Sequence, residues 1–183
     1  MEEGTYARTN EVRLNRRKQM IKQLKELLEM QQALDDSILK DKGIMYYPKE
    51  NIQIALFVEL GELMNELPTL FKYWKSSAVD NREKALEEYV DCLHFALSLT
   101  NRYRELFEEE LSLCPHHFNY NSHEITLLSQ KRTDSLLIDI IQFEGHLSSV
   151  FALGVKLGFE WDEIYKAYKD KNAVNYERLR GGY

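Results

Sequence analysis

Residues 52–66 read IQIALFVELGELMNE, and residues 84–99 read KALEEYVDCLHFALSL. Both runs are apolar around most of a helical circumference, with Ile52, Leu56, Leu60 and Leu63 in the first and Leu86, Val90, Leu93 and Leu97 in the second. Helices of that kind belong in an interior. Yet the first carries Glu59 and Glu62, and the second carries Glu88 and Asp91. Residues three apart lie on one side of a helix. Each apolar helix therefore presents an adjacent pair of carboxylates.

A buried carboxylate is unfavourable unless it is paired, protonated or bound to a cation. No Lys or Arg stands between Lys49 and Lys72, so the first pair has no local partner. Two facing pairs repel each other unless a cation lies between them. Hard oxygen ligands without thiolate or imidazole suit Mg²⁺ or Mn²⁺. One such pair alone is usually a solvated helix face; two pairs on consecutive apolar helices favour a metal centre. Glu66 continues the first stripe, and solvation at the helix end explains it equally well.

Outward from this centre the chain reads as helices. Leu14, Ile21, Leu24 and Leu28 recur at helical spacing, which predicts a helix over 11–34. Residues 37–49, with Gly43 and Pro48, read as a break. The two apolar runs predict helices over 50–66, ended by Pro68, and from Arg82 to Glu110. A turn with a cap is expected over Ser77 to Asn81. A fourth helix is expected over 124–157, interrupted near Thr133, and a fifth from Glu160 to Arg180. No alternating strand pattern is present. The expected fold class is all-α, a bundle of about five to six helices in one domain over 1–183. Residues 1–10 read as a disordered polar lead. Residues 109–135 read as an irregular insertion or lid, centred on 112–123 (SLCPHHFNYNSH).

The 183 residues suffice for one substantial core. The net charge of −6 argues against nucleic acid or an anionic membrane as partner. An anionic substrate therefore needs local charge inversion, by metal ions or clustered Lys and Arg. Cys92 and Cys114 form no CxxC or Cys/His ligand spacing, so structural zinc is not expected. Cys92 suits a buried free thiol. No apolar run approaches the length of a membrane span, and the charged N-terminus lacks a signal-peptide core. A cytoplasmic location is expected.

The pattern ExxE, a linker, then ExxD resembles the metal-binding signature of the all-α nucleoside triphosphate pyrophosphatases. These include the MazG-like enzymes, and the closer resemblance is to the dimeric dUTPases. Four segments carry it. Met30-Gln31-Gln32-Ala33-Leu34-Asp35-Asp36 resembles the motif that reads the uracil edge, which implies base contacts from Gln31 and Asp35. Some relatives have Asn where Asp35 stands; an ionised Asp only accepts hydrogen bonds. Phe71-Lys72-Tyr73-Trp74-Lys75 resembles a Trp-Lys pair that walls the nucleotide and meets phosphate, implying Trp74 and Lys75. In Glu87-Glu88-Tyr89-Val90-Asp91-Cys92-Leu93-His94-Phe95, the resemblance implies His94 and Phe95 near base and sugar. The C-terminal Lys171-Asn172-Ala173-Val174-Asn175-Tyr176-Glu177-Arg178, followed by Gly181-Gly182-Tyr183, resembles the phosphate-binding motif. It implies substrate contacts from Lys171, Asn175, Arg178 and Tyr183. Lys171, Asn175 and Arg178 fall on one helix face, which is the charge inversion demanded above.

The resemblance implies hydrolysis of dUTP, and also of dUDP, with dUMP and pyrophosphate as the dUTP products. It implies two or three Mg²⁺ held by Glu59, Glu62, Glu88 and Asp91, with Glu59 or Glu62 catalytic toward water. It further implies attack at the β-phosphorus and a homodimer with shared sites. Two other readings stay open: a MazG-like pyrophosphatase of different base preference, such as dCTP, and a non-enzymatic helical regulatory protein.

Overall fold

The computed structural model describes residues 2–106, 127–142 and 147–182, with side chains for all of these except 2–14, 17 and 103–106. Among the described residues six α-helices follow one another: α1 Glu2–Asp41, α2 Lys49–Glu66, α3 Arg82–Leu106, α4 Thr133–Gln142, α5 Leu147–Lys156 and α6 Trp161–Arg180. A 3₁₀ turn, Pro68–Leu70, follows α2. The described residues contain no strand, so the all-α expectation holds.

α3 is the central element. It packs against α1, α2, α5 and α6, while α4 packs on α5. Its sequence explains the position: Ala85, Tyr89, Val90, Leu93, Ala96 and Leu97 are all buried and point in several directions around the axis. α1 contributes the stripe Met20, Leu24, Leu27 and Leu28. In α5, Val150 to Gly154 are buried without a break.

Local chemistry sets the corners. Pro68 cannot continue α2 and opens the 3₁₀ turn. Asn81 caps α3, its Oδ1 accepting from the Lys84 amide at 3.2 Å, while its own amide donates to the Glu66 carbonyl. Asp80 accepts from the Thr69 amide and hydroxyl. The ends of α2 and α3 are thus stapled together, which fixes the pairing of their acids. Arg82 donates to the Gly158 carbonyl and to Glu163, tying the start of α3 to the corner before α6. Gly158 adopts φ 74° at that corner, a left-handed conformation that favours glycine.

Two expectations change. α1 extends at both ends beyond 11–34, and the break expected over 37–49 shrinks to residues 42–48. Asp35, Asp36 and Ser37 look like helix breakers, but each bonds back one turn: Gln31 donates to Asp35, Gln32 to Asp36, and Ser37 to the Ala33 carbonyl. α2 is not buried all round. Leu56, Leu60 and Leu63 face the core, whereas Ile54, Phe57 and Val58 are exposed. The interruption expected near Thr133 is present as a turn over 130–132, and α4 and α5 lie within the expected span of the fourth helix. The 112–123 segment and the expected end of the third helix at Glu110 lie outside the described residues, as does Cys114.

Candidate active site

α2 supplies Glu59, and α3 supplies Glu88 and Asp91. One oxygen from each carboxylate lies within 4.8 Å of the others. All three side chains are half-buried. Burial pushes the Glu59 carboxyl up to about 7, reinforced by repulsion from Asp91, Glu62 and Glu88 and opposed by Lys171. Glu88 and Asp91 are raised as well, again first by burial. Such groups gain most from a divalent cation, because one ion relieves both the desolvation and the mutual repulsion. Their oxygens are hard donors set close enough to share one ion, so the residues present fit Mg²⁺.

Glu62 stands apart from this tight trio. Its side chain is exposed, although its charge raises all three neighbours. Glu66 acts on Glu88 in the same way.

Cationic and amide groups face the acids from α6. Lys171 Nζ donates to Asp91 Oδ2 at 2.5 Å. Lys171, Asn175 and Arg178 line a cavity of about 350 Å³ that also takes in Glu59 and Asp91. Arg178 lowers the Asp91 carboxyl electrostatically. One end of the cavity therefore combines acids for a cation with cations for an anion.

The same cavity is lined by Gln31, Asp35, Tyr47, His94 and Phe95, together with aliphatic groups of α1 such as Leu34 and Ile38. A buried polar network runs along it. Gln31 Nε2 donates to Asp35 Oδ1 at 2.7 Å. Gln31 Oε1 accepts from the Tyr168 hydroxyl at 2.7 Å and lies 2.8 Å from His94 Nδ1. The His94 ring stacks on Tyr168 at 4.0 Å. Burial, then the Lys171 charge, hold the imidazole down to about 3, while the Tyr168 backbone pulls weakly the other way. Asp35 is pushed up to about 6 by burial, against hydrogen bonds from Ser98 and Gln31. Ser98 in turn shares a 2.8 Å hydrogen bond with Tyr47. An apolar box with a few fixed polar groups suits a planar base, and the acid and cation end suits its phosphates.

A family model described as dUTPase matches residues 23–183. The chain belongs to the all-α dimeric dUTPase family. It is a hydrolase acting on dUTP. A search of curated proteins returned no match.

The cavity of this dUTPase gathers nine of the residues singled out in the sequence. Glu88 stands beside it in the carboxylate trio. Trp74 and Lys75 are not among its lining residues. Trp74 is 64% exposed, with Tyr73 edge-on at 5.1 Å and Phe71 at 6.3 Å. Tyr183 lies outside the described residues. Sequence reasoning missed Tyr47, Ser98 and Tyr168. Tyr168 stands three residues before Lys171, one helical turn ahead of the C-terminal motif, and Ser98 is the polar residue in the apolar run 95–99, so each carried a weak signal. Tyr47 carried none beyond its place before Pro48.

Proposed function

We propose that this dUTPase hydrolyses dUTP to dUMP and pyrophosphate, with Mg²⁺ held by Glu59, Glu88 and Asp91 and completed by Glu62. The observation that carries the reading is one cavity in which Glu59 and Asp91, within 4.8 Å of each other and of Glu88 beside it, meet Lys171, Asn175 and Arg178. When bound, Mg²⁺ supplies Lewis-acid charge neutralisation of the phosphates and acidifies water. Glu59, Glu62, Glu88 and Asp91 would hold two or three such ions, and Mn²⁺ has compatible ligand chemistry.

The chain's own groups do the rest. Glu59, set in the carboxylate trio beside the cationic row of α6, orients the attacking water and takes its proton. Lys171, which donates to Asp91 through Nζ and lines the same cavity, donates to a phosphate oxygen of the substrate. Arg178 and Asn175 extend that contact along the same helix face. Gln31, Asp35, His94 and Phe95 enclose the uracil and sugar. Acceptance of dUDP and attack at the β-phosphorus belong to the same proposal.

The active form is a homodimer in the cytoplasm. Ile54, Phe57 and Val58 form an exposed apolar stripe on α2, and Phe71 and Trp74 add exposed aromatic surface. A partner covers these faces, and Trp74 and Lys75 complete a site there. No described helix is long and apolar enough to cross a membrane.

The test is incubation of the purified protein with each deoxynucleoside triphosphate and Mg²⁺, resolving products. Conversion of dUTP to dUMP and pyrophosphate is expected, with loss on metal chelation. Asp91→Ala and Glu88→Ala should lower turnover by about 10²-fold or more while the protein stays folded by circular dichroism. Undiminished turnover in either variant overturns the metal assignment.

A further inference from the structure

The family match begins at residue 23, yet α1 runs from Glu2. The first half of this helix is thus outside what dUTP hydrolysis accounts for. Residues 13–25 read RLNRRKQMIKQLK, with six Lys and Arg and no Asp or Glu. The rest of the chain then holds 18 of the 24 Lys and Arg against all 30 Asp and Glu. The net charge that argues against nucleic acid is therefore an average over two parts of opposite sign. The local field follows where the charges lie, not their sum.

Folding leaves this charge on the surface. Arg16, Lys18, Lys22 and Lys25 are exposed, as are Asn15 and Gln19 among them. Lys18, Lys22 and Lys25 fall at i, i+4 and i+7, one face of the helix, and Arg16 lies on nearly the opposite side. Met20 is the first buried residue of α1 among those described; Met20, Leu24, Leu27 and Leu28 hold the helix to the bundle. Glu26, the first acid after the run, accepts from Tyr165 and Lys169 of α6, so its charge is already met. The exposed Glu29 ends the lysine row one turn further on. The nucleotide cavity lies apart from this stretch, since its lining by α1 begins at Gln31.

We propose that residues 13–25 of α1 are a sequence-independent binding arm for duplex DNA. Chemistry separates this partner from other polyanions. A helix that binds an anionic membrane needs an apolar face opposite its charges, and between Arg13 and Gln19 Leu14 is the sole apolar residue. Single-stranded nucleic acid is held by stacking on aromatic rings, and residues 13–25 contain none. Duplex RNA has a major groove too narrow for side chains to read. B-form DNA opens a major groove about 12 Å wide, which admits one helix between two phosphate strands. Positive charge on two sides of a helix suits that pair of strands, which an acidic peptide does not offer. Asn15 and Gln19 add amides of the kind that bond phosphate oxygens.

Fluorescence anisotropy of the full chain with a short labelled DNA duplex tests this. A Kd of about 1–10 µM is expected at about 50 mM salt, with log K falling against log salt at a slope of about −5, the value for six neutralised phosphates. Duplexes of unrelated sequence should bind alike. The quadruple variant Arg16→Gln/Lys18→Gln/Lys22→Gln/Lys25→Gln keeps good helix formers and removes four charges. Its slope should fall to about −2 and its affinity by about tenfold or more. Its melting curve and its dUTP turnover should match those of the unaltered protein. Each single substitution should lower the slope by about 1, a graded effect that loss of fold does not produce. Absence of binding up to about 100 µM protein at that salt, or a quadruple variant that keeps both affinity and slope, overturns the proposal. So does tighter binding, at the same salt, to poly-glutamate or to vesicles of phosphatidylcholine and phosphatidylserine, which would assign the arm to an acidic protein or a membrane.

Discussion

Glu59 holds its proton to near pH 7 because burial and three neighbouring acids disfavour its charge. In the metal-free native state it binds a proton more tightly than in the unfolded chain, where a glutamate titrates near 4.5. Between those values the native state carries the extra proton, so stability falls as pH rises through that window, and the loss is complete above about pH 7. Asp35, raised to about 6, acts with the same sign over a narrower range. His94, which burial holds down to about 3, acts with the opposite sign below the ordinary histidine range, so the Glu59 effect is read against the Glu59→Gln variant rather than from the unaltered protein alone. Glu59→Gln should raise the melting temperature at pH 8 by about 2–4 °C, equivalent to a gain on the order of 1 kcal/mol after solvent screening, and change it little at pH 5. Added Mg²⁺ should stabilise the original protein at pH 8 more than the variant. Scanning calorimetry checks these outcomes, and a melting difference between the two proteins that is the same at pH 5 and pH 8 would remove the electrostatic account. At this scale the acids were legible in advance, because a charge inside an apolar run is a conflict visible without coordinates. The separation of Glu62 from Glu59 was not. A step of three residues leaves about 60° of rotation around a helix, and whether that matters depends on what surrounds it.

Helices decide which of these residues meet. α2 and α3 are joined through Asn81, Asp80 and the 3₁₀ turn, so the acids of both reach one place. α5 seats against α3 through a close approach at Gly154. A Cβ there would lie 2.4 Å from the Tyr89 hydroxyl oxygen, whose hydrogen bond to the Val150 carbonyl holds the phenol in position. Gly154→Ala should destabilise the protein by about 1–3 kcal/mol, read as a lower urea midpoint. The Gly154→Ala/Tyr89→Phe double variant should recover part of the loss, since the atom nearest the new methyl is gone. No recovery would mean the helices themselves must separate. α1 is laced to α6 in a similar way: Trp161 donates to Gln23, while Tyr165 and Lys169 donate to Glu26. This lacing sets Gln31 and Asp35 opposite Tyr168.

At the scale of the whole molecule, the exposed apolar stripe of α2 is the feature a lone chain leaves unexplained. Ile54, Phe57 and Val58 are 61%, 38% and 51% exposed, too much contiguous apolar surface for a helix with nothing against it. Sedimentation should show a dimer. Val58→Glu, which places a charge in the middle of the stripe, should shift the protein to a monomer and depress turnover in parallel, if Trp74 and Lys75 complete the partner's site as proposed. A monomeric Val58→Glu protein with full activity would show that each chain works alone.

The sequence by itself determined the all-α class, the order of the main helices, the acids and the cationic row of the last helix. Each follows from periodicity or from a local conflict between charge and apolar surroundings, and both are properties of neighbouring residues. Tertiary structure alone decided that Glu59, Glu88 and Asp91 converge, that Lys171 bridges to Asp91 from a helix eighty residues away, and that α2 has an uncovered face. It also brought Asp35, Gln31, His94 and Tyr168 into one chain of hydrogen bonds. Hydrogen-bond polarity and carboxylate proximity depend on distances of a few ångströms between groups far apart in the chain. Local pattern cannot encode those distances; the packing of α1, α2 and α6 around α3 sets them.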